Sequence, residues 1–181
     1  NKVKLEAEAS INFTKNVQGE GSVTNGVAGD EYTFTIASGD KTPDAPMPKD
    51  TTVTITNDGQ HSSYNGSFGP ISYTRKDLGK NDAEKTYEYV IQEKQSVTGG
   101  LLTDTTKYLA KIKVSKMPVN GVDQMTAVLD SVSVIDGEDV ADKSLVFTNI
   151  YQRAEAVIRV RKTLDGRPMR DGEVFAFELL E

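Results

Sequence analysis

At 181 residues the chain is long enough for one domain of ordinary size with a remainder, and 36% hydrophobic with 27% charged residues is the composition of a folded rather than a disordered protein. A net charge of -6 argues against a nucleic-acid partner, because that affinity comes mostly from lysines and arginines displacing counterions; zero cysteines exclude a disulfide framework, a thiolate nucleophile and a thiolate metal site. No apolar run approaches the roughly 20 residues needed to cross a bilayer, and the opening NKVKLEAEAS has no apolar signal core. No membrane insertion is expected within this fragment, and any secretion signal or wall anchor is expected outside it.

Period-2 alternation recurs along the chain and no long segment keeps a helical apolar stripe, so the expected class is all-β. Leu5, Ala7, Ala9, Ile11 and Phe13 share one face of a first strand; Tyr32, Phe34 and Ile36 form a second; Val53 and Ile55 a third. Phe68, then Ile71 and Tyr73 after a Gly-Pro break, form a fourth. Turn chemistry is expected to separate them at Gly19-Glu20-Gly21, Ser38-Gly39-Asp40, Asn57-Asp58-Gly59 and Asn65-Gly66. The stretch from Lys41 to Lys49 carries Pro43, Pro46 and Pro48 and is a loop or edge; Gly79 to Glu84 reads as a short turn or a helical turn.

Further strands follow at Tyr87, Tyr89 and Ile91; at Tyr108, Ala110, Ile112 and Val114, with Lys107, Lys111 and Lys113 facing out; at Val128 to Val134; and at Leu145, Phe147 and Tyr151. Short strands at even spacing with turn-rich connections predict a two-sheet sandwich. The end of the chain then repeats its beginning: Ile11-Asn-Phe-Thr-Lys15 is matched by Ile158-Arg-Val-Arg-Lys162. Residues 1–153 are therefore expected to form one domain, and 154–181 the truncated start of a second, with strands at Ala156–Leu164 and Glu173–Leu180.

Because side chains alternate across a strand, inward parity can be extended to polar positions. Leu5 to Phe13 aims Lys15 at the core; Tyr87, Tyr89 and Ile91 aim Glu93; Leu145 and Phe147 aim Asn149, with Tyr151 beyond. One such residue alone reads as a strand end whose side chain snorkels outward. Three together demand compensation, since a lone buried lysine costs several kcal/mol and a buried ion pair often no more than breaks even. Desolvation lowers a lysine pKa and raises that of a glutamate, so the pair can exist as amine and carboxylic acid. The amine can then add to an asparagine side-chain carbonyl while the acid protonates the oxygen and relays protons, and ammonia leaves. Fixed contact supplies the effective molarity for a single turnover.

The segments ending in Lys15, Tyr87-Glu-Tyr-Val-Ile-Gln-Glu93 and Val146-Phe-Thr-Asn149-Ile-Tyr151 resemble the lysine, glutamate and asparagine strands of the streptococcal-type pilin isopeptide-linkage domain, in the same order over residues 7–151 and again at Lys162. The resemblance implies an immunoglobulin-like sandwich of the collagen-adhesin B type in a Gram-positive surface pilin or adhesin, extracellular and anchored to the cell wall. It implies Lys15 as nucleophile, Asn149 as electrophile and Glu93 as proton shuttle, with Phe13, Tyr89, Phe147 and Tyr151 as apolar surround. Lys162 is the corresponding second-domain lysine, left without a glutamate or asparagine in this chain. The implied partners are neighbouring tandem domains or pilin subunits, with sortase-mediated polymerisation or wall attachment, for which Lys116 is a candidate linkage lysine.

The competing function is an adhesive module that grips host matrix or glycan through residues 41–49 or 57–69, where Tyr64 and Phe68 are the aromatics available. An enzyme ranks third, since Glu88 and Glu93 have opposite parity and cannot flank one substrate. His61 in Gln60-His-Ser-Ser63 reads as a surface loop, and Asp136, Glu138, Asp139 and Asp142 as a solvated acidic turn without calcium-loop spacing. No metal and no cofactor is expected.

Overall fold

The computed structural model describes residues 5–96, 98–152 and 159–178. Two sheets face one another: β1 (Glu6–Gln18), β4 (Ser63–Thr74), β6 (Leu101–Leu102) and β9 (Val146–Tyr151) form one, in the order β4-β1-β9-β6. The other runs β3 (Thr52–Thr56), β2 (Glu31–Ser38), β5 (Lys85–Glu93), β7 (Lys107–Val119) and β8 (Val122–Val134). This is the all-β, two-sheet sandwich expected from the alternation and turn spacing, in keeping with the immunoglobulin-like form that the resemblance implies.

The inward faces are the ones the alternation marks. Ile11 and Phe13 of β1, Tyr32, Phe34 and Ile36 of β2, Tyr87, Tyr89 and Ile91 of β5, and Tyr108 to Val114 of β7 at every second position are all buried. Phe13 and Phe34 meet across the sheets at 4.4 Å between ring centroids, and Phe147 of β9 lies 5.1 Å from Phe34. Offset and tilted ring packing of this kind adds to the burial of apolar area that drives folding.

β1 is central in its sheet. It pairs antiparallel with β4 on one side and parallel with β9 on the other, where Lys15 faces Phe147 and Val17 faces Asn149. The parallel pairing joins the first strand to the last, a crossover that alternation alone does not encode.

Two local expectations are corrected. Asn65-Gly66 is not a turn but lies inside β4, because a side chain at Gly66 would collide with the Phe13 ring: an added Cβ would stand 2.2 Å from its Cζ. The Gly-Pro break expected in this strand falls at Gly69-Pro70, opposite a register shift between Ala9 and Ile11, and β4 runs on through it to Thr74. The strand expected from Val128 begins six residues earlier, at Val122, since Asn120 and Gly121, with φ of 54° and 77°, make a tight hairpin turn from β7.

The boundary at 153/154, Ile158, and the ends of both strands expected in the tail lie outside the described residues. Among the described residues of 159–178 there is no strand. A hairpin that must bury its own apolar face is marginal in water, and here Val160, Val174 and Phe177 remain exposed. A loose return is held by Arg167 against Glu173 and by Lys162, whose Nζ sits 5.4 Å from the Phe175 ring centroid.

Candidate functional site

Lys15, Glu93 and Asn149 come together in the core between the sheets. Lys15 and Asn149 are fully buried and Glu93 is 6% exposed. β1 supplies Lys15 and its parallel neighbour β9 supplies Asn149, while β5 brings Glu93 from the opposite sheet, where it pairs with Phe34.

One carboxylate engages both partners. Lys15 Nζ donates to Glu93 Oε2 at 2.8 Å, and Asn149 Nδ2 donates to Glu93 Oε1 at 2.6 Å. On its other side, Asn149 Oδ1 accepts the backbone N–H of Asp104 at 2.8 Å. The carboxyl group thus faces the amide nitrogen, whereas the sequence reading puts the acid on the carbonyl oxygen. A backbone N–H can only donate, so the atom turned toward Asp104 is the oxygen.

Burial works against both charges. It pulls the Lys15 ammonium below the ordinary lysine range, against the raising effect of its hydrogen bond and ion pair with Glu93. It pushes the Glu93 carboxyl above the ordinary glutamate range, again against its bonds to Lys15 and Asn149. Both directions favour transfer of the proton from amine to acid, because two ions are costly where water is absent.

The aromatic wall differs in part from expectation. Tyr32 and Phe34 carry their rings 4.7 Å and 6.0 Å from Lys15 Nζ, and neither is singled out by its strand pattern. Phe13 and Phe147 stand behind them, 6.0 Å apart edge to face. Tyr151 closes one end: its hydroxyl donates to Asp30 and lies 3.1 Å from that of Tyr32, which also accepts from Asn57 Nδ2 at 2.8 Å. Tyr89 instead directs its hydroxyl elsewhere, 2.7 Å from that of Tyr73 and donating to Pro46 O at 2.8 Å.

Asp104 is the residue that pattern reading passed over. It lies in the loop after β6, half-buried, with Oδ1 accepting the Thr106 N–H at 2.8 Å and Oδ2 the Thr148 N–H at 2.7 Å. Its one sequence signal is an aspartate two residues before Thr106, the spacing of an Asx turn.

The loops assigned to host binding offer no aromatic platform. Phe68 is fully buried, and the Tyr64 hydroxyl is tied to Asp58 and to the carbonyl of His61. His61 is exposed and hydrogen-bonded to Asp58, and Asp142 accepts the N–H and O–H of Ser144. Lys116 sits near the end of the β7–β8 hairpin, 3.4 Å from Asp123.

Residues 11–152 match the model of the Spy0128-like isopeptide containing domain. The chain belongs to that family. It is a structural domain and not an enzyme. Among solved structures, this isopeptide-family domain is similar to a mutant of the major pilin from Streptococcus pyogenes, with a TM-score of 0.56 and 15% identity over 79% of this chain and 50% of that one. The major pilin T-13 from Streptococcus pyogenes gives a TM-score of 0.55 and 15% identity over 78% and 51%, and the T3.2 pilin 0.54 and 18% over 80% and 52%. At these identities the likeness is one of fold. The chain spans about half the length of the pilins it matches. Comparison with curated proteins gives no match.

Proposed function

We propose that this domain is a shaft module of a Gram-positive surface pilus, stapled by a self-formed amide bond between Lys15 and Asn149. The observation that carries the reading is Glu93, which holds the Lys15 amine and the Asn149 amide on its two oxygens in a site closed to water. Family membership and the fold shared with streptococcal pilins support the same role. Neutral Lys15 attacks Asn149 Cγ, Glu93 moves the protons, and ammonia departs. The product joins β1 to β9, the first and last strands of the sandwich and neighbours in one sheet, so a pull along the chain meets a covalent bond before it reaches the core.

In this reading residues 1–153 are one module and 154–181 begin a second, with Lys162 as its lysine. The support is the repeated pentad at Ile158–Lys162 and a family match that stops at residue 152. The partners are neighbouring modules and pilin subunits, linked to one another or to the cell wall by a sortase outside the cell. The deciding measurement is intact mass. A chain one ammonia lighter than its sequence supports the bond, and the full calculated mass refutes it.

A further inference from the structure

The Asn149 side chain is held from both ends, and the two ends do different work. Asp104 N–H meets Oδ1 at 2.8 Å and Glu93 Oε1 meets Nδ2 at 2.6 Å. We propose that the backbone N–H of Asp104 is the oxyanion donor of the crosslinking reaction and that Glu93 delivers its proton to the departing nitrogen rather than to the carbonyl oxygen. This rests on the reading of Lys15 and Asn149 as the reacting pair, and it assigns a backbone donor and a leaving-group path that the reading leaves open.

Three observations converge. The orientation of the amide is fixed by chemistry, since the N–H can only donate and must therefore face oxygen. The separation falls within the range in which a fixed donor stabilises a developing oxyanion, and Asn149 is fully buried, where such a donor acts most strongly. The donor is also fixed in place. β6 ends at Leu102 opposite Ile150, and two residues later the Asp104 carboxylate takes the N–H of Thr148, the neighbour of Asn149, and that of Thr106. Donor and acceptor are thus clamped to the same stretch of β9.

The step balances without any co-reactant. Lys15 Nζ, as the amine, forms a bond to Asn149 Cγ, and the carbonyl electron pair moves onto Oδ1, where Asp104 N–H receives it. Glu93, as the acid, protonates Nδ2; the Cγ–Nδ2 bond breaks as the carbonyl re-forms, and ammonia leaves. Glu93, now the carboxylate, takes the surplus proton from Nζ. One amide replaces another, and the acid is regenerated.

The test replaces the 103–104 peptide bond by an ester, with malate at position 104, in the full chain assembled by ligation. This removes the N–H and keeps the carboxylate. Refolding is started from denaturant and the ammonia loss followed by mass. Loss of one oxyanion donor should slow the reaction on the order of a hundredfold. An ester chain that reacts as fast as wild type overturns the proposal while leaving the crosslink intact; a wild-type chain that loses no ammonia refutes the crosslink itself. If the ester chain does not fold, the folded, unreacted Lys15→Met chain decides by NMR. A coupling across the hydrogen bond between the Asp104 amide and Asn149 Cγ is expected there, and its absence overturns the proposal.

Discussion

Lys15 and Asn149 stand on adjacent parallel strands but not on the same rung: Lys15 faces Phe147, and Asn149 faces Val17 two residues further on. The offset suits a long side chain reaching along the strand to a short one, with Glu93 meeting both from the opposite sheet. The first expected outcome concerns mass. Wild type should be one ammonia light, whereas Lys15→Ala and Asn149→Ala should each have their full calculated mass. In a digest, Lys15 and Asn149 should appear in one branched peptide and Lys162 should remain a free amine. Finding Lys162 joined to any asparagine or aspartate of this chain would contradict its reading as an unpaired second-module lysine.

Glu93→Gln keeps the size of the side chain and one of its two acceptor oxygens, turns the other into an NH2 that only donates, and cannot relay a proton. The variant should fold and keep its full mass. The missing crosslink would otherwise close a loop of roughly 130 residues, for which chain-entropy arguments give about 4–5 kcal/mol of stabilisation from constraining the unfolded state. Thermal unfolding should therefore show a marked drop in Tm for Glu93→Gln, accompanied by faster proteolysis. Melting temperatures equal within error would count against the staple.

The rate of crosslinking should depend on pH with two limbs. Burial holds Lys15 below its ordinary 10.5 and Glu93 above its ordinary 4.5. The reaction needs one titratable proton shared by the pair. With a second proton the nucleophile is an ammonium; with none the leaving nitrogen has no acid. A raised Glu93 value moves the acid limb above 4.5, and a lowered Lys15 value moves the alkaline limb below 10.5. Stability of the unreacted chain follows the same signs. Lys15 contributes stability at high pH that is lost as pH falls below 10.5, and Glu93 contributes stability at low pH that is lost as pH rises through its elevated folded value. Refolding at a series of pH values with quenching and mass analysis checks the limbs, and a rate that stays flat to both ordinary values would be the contrary result.

What the sequence discloses here is set by periodicity. Strict alternation carries Lys15, Glu93 and Asn149 inward because each continues a run of apolar residues of one parity, and all three are buried in one site. The same alternation says nothing about which strands are neighbours, so the parallel β1–β9 pairing was not legible, nor was the two-residue β6. Tyr32 and Phe34 read as ordinary core in sequence, since only the packing of the two sheets puts these rings of the opposite sheet against Lys15. Asp104 belongs to no periodic segment and acts through its backbone, to which side-chain patterns are blind. Alternation in the tail presupposes a partner surface to bury its apolar face, and among the described residues of 159–178 no strand forms.

Gly66 tests the packing that holds the site together. In sequence Asn65-Gly66 has the composition of a turn, yet in the sandwich the glycine leaves room for a ring: Phe13 lies against it, with Cζ at 2.2 Å, Cε2 at 2.5 Å and Cε1 at 2.8 Å from where a Cβ would be. Phe13 cannot simply withdraw, because its ring is packed 4.4 Å from Phe34 and 5.5 Å from Phe68. Those rings in turn back the wall over Lys15. Gly66→Ala gains backbone rigidity in the unfolded state but must push β4 outward or force Phe13 off its rotamer, and overpacking of this kind costs about 1–3 kcal/mol. Since β4 pairs with the very strand that carries Lys15, the displacement also reaches the reacting atoms, and Lys15 faces Tyr64 two residues from the substituted position. The variant should melt at lower temperature than wild type and complete its crosslink more slowly after refolding. Gly66→Ala with unchanged Tm and unchanged rate of ammonia loss would mean that the Phe13 ring has a second place to go and that the wall over Lys15 is not held by this contact.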